Sequence, residues 1–233
     1  MNITHLGHSA VLVEIADRRI LIDPGNFSTA WHGLTDLDAI CVTHLHPDHL
    51  DPAQVPALIA ANPQAAVYVE PQVLDVVPLV GARPLAADAS IDLGAVTVAA
   101  VGGLHAVIHR DIPRIGNVGL VIGAEGEPTV FHPGDALEAV PAGVDVLAVP
   151  AYGPWAAMKE TIDFVRAVAA PHGFLIHEGL LHERGWSLAF NRMNEMTPTT
   201  LVDLRAAGAW KACLLYTSPS PRDRTRSRMP SSA

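Results

Sequence analysis

The sequence predicts an α/β fold in which short strands outnumber helices. Apolar and β-branched residues recur in short runs that end in Gly, Pro, Asp or His, which is typical of strands that lead into loops. Helical spacing of apolar residues appears between and after these runs. The chain has 233 residues, of which 49% are hydrophobic and 17% charged, so it can build a large core. We therefore expect one globular α/β domain.

Nine strands are predicted from the apolar runs. The short spacing of the first three favours antiparallel pairing between them. In chain order the predicted strands cover residues 3–6, 10–15, 19–23, 39–43, 66–69, 96–101, 119–122, 129–132 and 144–149.

Three helices are predicted, over residues 52–61, 159–170 and 197–207. In the first two, apolar residues recur every three to four positions and form one face. The third begins with Thr197 and Pro198, which is typical of an N-cap residue followed by proline in the first turn.

The charge of the chain argues against a nucleic-acid partner. The formal net charge is −9, and residues 217–233 contribute a net +3 through four arginines and one aspartate. Without that segment, residues 1–216 carry −12. A domain with this negative charge would repel a polyanion such as a nucleic acid.

Membrane insertion and export are not expected. No run of about 18 uninterrupted apolar residues is present. Residues 1–19 lack the basic leader and apolar core of a signal peptide and predict the first strand instead. Cys41 and Cys213 are too few for a disulfide framework, so the expected location is the cytoplasm. The sequence leaves open whether the chain forms a homo-oligomer.

Residues 213–233 differ in composition from the rest of the chain. Ser, Pro and Arg replace Ala, Val and Leu, and no apolar period remains, so this segment is predicted to be disordered. It resembles translated sequencing-adapter read-through more than native sequence. We therefore assign the domain to residues 1–212 and leave 213–233 out of the functional argument.

Three histidines and an aspartate lie close together in THLHPDH, residues 43–49. His44 and His46 are two positions apart, so in an extended segment their side chains point to the same side. Asp48 and His49 follow Pro47 and project in a different direction. Imidazole and carboxylate are ligands of Zn²⁺. The spacing predicts two ligands for one metal ion and two for another.

The stretch THLHPDHL resembles the T-H-x-H-x-D-H signature of the metallo-β-lactamase superfamily. The resemblance covers roughly residues 1–212. Within the superfamily, the chain is similar to the subgroup of metal-dependent hydrolases that includes ascorbate-6-phosphate lactonases. It implies an αββα four-layer sandwich of two mixed β-sheets flanked by helices, with a metal site at one edge. The further segments that agree in order are LGHSA (6–10), ILIDPG (20–25), GGLHAVIH (102–109), FHPGD (131–135) and FLIHEG (174–179).

The resemblance implies a binuclear metal site. The implied ligands are His44, His46 and His105 for the first ion, Asp48, His49 and His177 for the second, and Asp135 as a bridge between them. Asp135 is also favoured because Gly134 permits a tight turn and because a carboxylate has two oxygens to offer. Zn²⁺ is the expected metal, although nitrogen and oxygen ligands also suit Mn²⁺, Fe²⁺ and Ni²⁺.

Two of these ligands have rivals nearby. His105 follows a strand end and a Gly-Gly pair and is favoured over His109, which lies four residues on. His177 follows a buried-strand pattern and is favoured over His172 and His182.

Four further residues are candidates for supporting roles. The resemblance implies that Asp23 orients a ligand histidine through its far ring nitrogen, although a strand-ending turn would also explain it. His8 is expected at the rim of the site or in the core. Tyr152 and Trp155 follow a buried strand and are expected to line the substrate pocket or to pack beneath the loop.

These expectations predict a hydrolase. Two cations lower the pKa of a bridging water to about 7, so that hydroxide can attack a lactone, ester or phosphodiester of a small molecule. The resemblance implies that Asp48 takes part in proton transfer to the leaving group. A phosphate-bearing substrate would need a nearby cation, for which Arg110, Arg114 and Lys159 are candidates. The alternatives are a non-catalytic metal-binding or interaction module and a di-iron redox relative.

Overall fold

The structure, a computed structural model, describes residues 1–205 and 208–214. Within these residues, two seven-stranded sheets pack face to face and helices cover the outer face of each. The strands are β1 Asn2–His5, β2 Val11–Ile15, β3 Arg18–Ile22, β4 Ala39–Val42, β5 Ala66–Val69, β6 Ala82–Pro84, β7 Ser90–Asp92, β8 Val96–Leu104, β9 Gly116–Ala124, β10 Val130–His132, β11 Val146–Pro150, β12 His172–Ile176, β13 Thr200–Leu201 and β14 Ala209–Lys211. The helices are α1 Val55–Ala61, α2 Val73–Val76, α3 Met158–Val168 and α4 Glu183–Met196. This is the αββα sandwich that the resemblance implied.

Both sheets are mixed, with one antiparallel half and one parallel half. The first sheet has the order β14-β1-β2-β3-β4-β5-β6 and becomes parallel from β3 onward. The second has the order β13-β12-β11-β10-β9-β8-β7 and is parallel from β10 to β13. The predicted antiparallel pairing of the first three strands is confirmed.

The main core lies between the sheets, and alternation along each strand divides residues between the two faces. In β3, Ile20 and Ile22 pack toward the second sheet, whereas Leu21 packs toward α1 and α2. In β11, Ala148 faces the first sheet and Leu147 faces α3 and α4. Successive strand side chains point to opposite faces, and both faces are covered here. The strands therefore appear in the sequence as almost continuous apolar runs.

The directions of the strands bring distant segments to one edge of the sandwich. In the first sheet β1, β3 and β4 run the same way, and in the second β8, β10 and β12 do. Two backbone hydrogen bonds join the sheets at this edge: His177 N donates to His8 O (2.9 Å), and Val118 N donates to Thr43 O (3.0 Å). Segments that follow these strands must therefore meet.

The nine predicted strands are confirmed, but one of the three helix predictions is wrong. No helix covers 197–205; α4 ends at Met196, and Thr200–Leu201 pairs with the start of β12. The Thr197 hydroxyl donates to Met193 O (2.7 Å), so it caps the end of α4 and begins no helix. Pro198 then cannot continue the helix, because it has no N–H to donate. α4 was not predicted.

The predicted disordered tail, 213–233, lies outside the described residues except for 213 and 214. Among the residues that the structure describes, no helix combines the length and apolar character needed to cross a bilayer.

Truncation of a buried side chain between the sheets is expected to destabilise the fold strongly. Ile20 is fully buried, so Ile20→Ala should lower the free energy of unfolding by about 2–5 kcal/mol. Val80→Ala is the control, since Val80 is 85% exposed and its loss should change stability by less than about 0.5 kcal/mol. Urea denaturation measures both; equal effects would contradict this assignment of the core.

Candidate metal centre

Asp135 lies at the centre of the site and is almost completely buried. It follows β10 through a turn at Gly134, whose φ is +61°. The Asn117 side-chain oxygen accepts from Asp135 N (2.9 Å), and Trp155 Nε1 donates to Asp135 Oδ2 (2.9 Å). The turn and these two hydrogen bonds fix the carboxylate at the edge where the two sheets meet.

Imidazole nitrogens surround this carboxylate. The Nε2 atoms of His49, His177 and His105 lie 3.0, 3.2 and 3.3 Å from an oxygen of Asp135, and Nε2 of His44 lies at 3.9 Å. The first three Nε2 atoms are buried without a hydrogen-bond partner, and so is Asp135 Oδ1. Leaving such groups unpaired is costly, whereas a metal ion would satisfy all of them. The residues therefore fit a metal site.

Hydrogen bonds on the far ring nitrogens leave two of these Nε2 atoms free to accept. His105 Nδ1 donates to Ala106 O (2.7 Å), and His177 Nδ1 donates to Tyr152 O. A carbonyl cannot donate, so in the neutral ring the proton sits on Nδ1 and Nε2 carries a lone pair. This is the tautomer that metal ligation needs.

A buried network below the site orients the other two rings. Asp23 accepts from Thr43 N and from the Thr43 hydroxyl, both at 2.7 Å, and its Oδ2 lies 2.7 Å from His49 Nδ1. Because the Thr43 hydroxyl uses its hydrogen in the bond to Asp23, it accepts a hydrogen bond from His44 Nδ1 at 3.0 Å. Asp23 thus fixes both histidines, one directly and one through Thr43.

The potential ligand atoms divide into two groups, in each of which all atoms lie within 4.8 Å of one another. We call the residues His44, His46, Asp48, His49, His105, Asp135 and His177 the His/Asp cluster. One group contains His44, His46, His105 and Asp135, and the other contains His8, Asp48, His49 and His177. The structure therefore brings together all seven residues expected to bind metal, from chain positions as far apart as 44 and 177.

His8 lies behind Asp48 and is buried, and it does not line the rim of the cleft. Gly179 N donates to His8 Nδ1 (3.1 Å), so the proton of the neutral ring is on Nε2, which donates to Asp48 Oδ2 (3.0 Å). Burial is the main cause that lowers the pKa of His8, which favours this neutral form. The His8 backbone N–H donates to Glu178 (2.9 Å). His8 therefore orients the Asp48 carboxylate and has no free lone pair for a metal ion.

The cluster perturbs its own pKa values. Burial raises the pKa of Asp135, but the neighbouring His49, His105 and His177 outweigh it and hold that pKa well below its usual range. Burial lowers the pKa of His177, yet the carboxylates of Asp135 and Asp48 beside its Nε2 outweigh this and raise it to about 9, so a proton or a metal cation is favoured at that nitrogen. Burial also raises the pKa of Asp48, but His177 and His8 outweigh it and hold that pKa below its usual range, so both carboxylates are ionised. Buried groups with pKa values shifted in this way are typical of functional sites.

The rival histidines lie outside the cluster. The His109 side chain is 57% exposed and lies 3.5 Å from Asp111. His172 begins β12 and packs on Trp210, and His182 is the N-cap residue of α4.

Three residues at this edge have left-handed backbone conformations, although none is glycine. Their φ angles are +54° for His8, +48° for Asp23 and +59° for His177. Such conformations cost energy for residues with a Cβ and cluster at functional sites. Asp23 and His177 each directly follow a strand, and their side chains reach the His/Asp cluster, where Asp23 contacts His49 and His177 contacts Asp135.

A cleft of about 420 Å³ opens onto the cluster. Trp155 lines it, as expected, whereas Tyr152 contributes only its backbone carbonyl to the site. Residues that sequence analysis missed are Asn117, which holds the Asp135 turn, and the apolar lining residues Phe27, Ile108 and Leu180. Of these four residues, Phe27 alone had a local sequence signal for a place at the site, because it directly follows the D-P-G-N turn.

Comparison with known proteins identifies similar chains. A family model for the β-lactamase superfamily domain matches residues 2–172. Protein Rv0786c of Mycobacterium tuberculosis is 41% identical over 202 residues, which cover 85% of this chain and 94% of the relative. A UPF0173 metal-dependent hydrolase of Xanthobacter autotrophicus is 33% identical over 150 residues, 58% of this chain and 62% of its own. The metallo-β-lactamase fold protein YhfI of Bacillus subtilis superposes with a TM-score of 0.68 at 17% identity, covering 91% of this chain and 98% of YhfI.

Gly134 should be irreplaceable at the turn before Asp135. A Cβ at this position would lie 2.3 Å from Asn117 Oδ1 and 2.9 Å from Thr43 Cβ. Gly126 is the matched control, since its φ is also positive (+76°) and its Cβ would meet nothing within 4 Å. We expect Gly126→Ala to lower the free energy of unfolding by about 1–2 kcal/mol from backbone strain alone. Gly134→Ala should cost about 1–3 kcal/mol more, from overpacking. Equal losses in urea denaturation would contradict the described turn.

Proposed function

The chain belongs to the metallo-β-lactamase superfamily, and on that premise we propose that it is a metal-dependent hydrolase with a two-metal site in the His/Asp cluster. The observation that carries this proposal is the set of buried, unpartnered Nε2 atoms of His49, His105 and His177 around the buried carboxylate of Asp135. The similarity to the UPF0173 metal-dependent hydrolases agrees with it.

We assign the ligands by the two groups of converging atoms. His44, His46 and His105 would hold one ion, and Asp48, His49 and His177 would hold the other. Asp135 would bridge the two ions, because its oxygens face histidines of both groups. Nitrogen and oxygen ligands suit Zn²⁺, and they also accept Mn²⁺, Fe²⁺ or Ni²⁺.

When bound, two divalent cations supply Lewis-acid polarisation of the scissile bond and acidify water to provide the nucleophile. The protein's own residues contribute orientation and proton transfer. Trp155 Nε1 and the Asn117 side chain hold the Asp135 loop, and His8 Nε2 holds Asp48. The Asp48 side chain is 20% exposed and lines the cleft, so its ionised carboxylate is placed to take a proton from the attacking water and to give it to a leaving oxygen.

Cys41 cannot serve as the nucleophile. Cys41 is fully buried in β4, and burial, followed by the charge of Asp23, raises the pKa of its thiol to about 12. Such a thiol does not ionise near neutral pH and cannot be reached by substrate. Water is the nucleophile that the site can supply. The alternative of a non-catalytic module predicts loss of ligands, and all seven are present.

Removal of one ligand tests the proposal. His46→Ala should lose about one bound zinc equivalent and lower kcat/KM by about 100-fold or more, because ligand and near-ligand changes typically cost at least 10–100-fold. The assays are elemental analysis and metal-dependent hydrolysis of p-nitrophenyl butyrate and bis(p-nitrophenyl) phosphate.

His109→Ala is the matched control for this experiment. It removes a histidine from the segment after His105, but this side chain is exposed and outside the cluster. Metal content and activity should match the wild type. A His46→Ala variant that keeps both, or a His109→Ala variant that loses both, would contradict the ligand assignment.

A further inference from the structure

Among the residues that the structure describes, no Lys or Arg lines the metal-centre cleft. Its lining residues are Asn26, Phe27, His46, Pro47, Asp48, Ile108, Asp135, Pro154, Trp155, His177 and Leu180. The polar members are mostly residues of the His/Asp cluster at the floor. The remaining wall is apolar apart from Asn26. A phosphate or carboxylate on the substrate would therefore find no Lys or Arg among these residues to pair with.

The three basic residues that the sequence suggested for a phosphate do not line this cleft. The Arg114 guanidinium donates to His105 O (2.6 Å) and pairs with Glu138 (2.9 Å), so its charge is already used. The Arg110 side chain is 88% exposed and lies 3.8 Å from Asp111. Lys159 is exposed at the start of α3.

Acidic residues surround the neighbouring surface. A second cleft of about 540 Å³ shares Trp155 with the first and is lined by Glu138, Glu160 and Asp163 among its residues. Residues 1–216 carry a formal charge of −12. The side chains around the cleft therefore give no favourable partner to an anionic group that lies away from the metal site.

Two large apolar side chains that line the cleft are also exposed to solvent. Phe27 is 47% exposed and Leu180 is 56% exposed, and both line the cleft together with a third apolar residue, Ile108, from another loop. Exposed apolar residues that line a pocket together mark a binding surface for an apolar group. Phe27 is also held in place, because its ring lies against the buried ring of His8 with centroids 4.7 Å apart.

From these observations, and on the basis of the proposed hydrolase function, we propose that the substrate is an uncharged carboxylic ester or lactone with an apolar chain. Phe27, Ile108 and Leu180 hold that chain, which places the acyl carbon over the His/Asp cluster. In the reaction a water oxygen forms a bond to the acyl carbon, and the acyl C–O bond breaks with its electron pair on the leaving oxygen. That oxygen takes a proton that came from the attacking water, so one water is consumed and an acid and an alcohol, or a hydroxy acid, result.

The experiment compares probes on the zinc-loaded full chain, with EDTA-treated protein to subtract background hydrolysis. The probes are p-nitrophenyl acetate, butyrate, hexanoate and octanoate, the mono-p-nitrophenyl ester of adipate, and bis(p-nitrophenyl) phosphate. Each methylene buried on the wall should raise kcat/KM about two- to fourfold, so hexanoate should exceed acetate at least about tenfold. Adipate has the six carbons of hexanoate with a terminal carboxylate, and it should be at least about tenfold poorer than hexanoate. The phosphodiester should be poorer than every ester of four or more carbons.

Two variants test the wall itself. Phe27→Ser and Leu180→Ser should each lower the hexanoate-to-acetate ratio of kcat/KM by about fivefold or more. Leu188→Ser is the matched control, because Leu188 is 51% exposed on α4, away from the cleft, and its ratio should equal that of the wild type.

The outcomes separate this inference from the proposed function. Metal-dependent hydrolysis that prefers the phosphodiester or adipate, or that is equal for all chain lengths, overturns the substrate class and leaves the hydrolase standing. Unchanged ratios in both serine variants also overturn it. If zinc-loaded protein hydrolyses none of the probes faster than EDTA-treated protein, the proposed function and the substrate class fail together.

Discussion

The structure depends on a buried carboxylate, Asp135, that is compensated by imidazole rings. An isolated buried charge is very costly, and in the described residues the ionisable side chains near its oxygens are histidines, with no Lys or Arg among them. The buried Nε2 atoms of His49, His105 and His177 have no other hydrogen-bond partner, so the arrangement is satisfied when cations lie among them. Strand direction, left-handed turns and the Asp23–Thr43 network all serve to bring these groups to one point.

The fold explains why ligands so far apart in sequence can meet. β4, β8, β10 and β12 deliver His44, His105, Asp135 and His177 from their C-terminal ends to one edge of the sandwich. Hydrogen bonds on the Nδ1 atoms of His44, His105 and His177 select the tautomer of each ring. The His8 ring holds the Asp48 carboxylate from behind. The rigid floor is continuous with an apolar wall, so positioning of the reacting groups and selection of the substrate rely on adjacent parts of one cleft.

Local sequence predicted much of this arrangement and failed where long-range contacts decide. The spacing of His44, His46, Asp48 and His49 in one segment was enough to indicate metal. The contact of Trp155 with Asp135 joins residues 20 apart, and that of Gly179 with His8 joins residues 171 apart; no local pattern encodes such geometry. The prediction of a helix over 197–207 was wrong because a Thr-Pro pair is found both at the start of a helix and just after the end of one.

The most direct test of the account is an anomalous difference map from crystals of the zinc-loaded protein, collected at the zinc edge. The account predicts two peaks within the His/Asp cluster. One should lie against His44, His46 and His105, the other against Asp48, His49 and His177, with Asp135 between them. A map in which zinc binds elsewhere on the protein and leaves the cluster empty, or in which Asp135 touches neither peak, would contradict it.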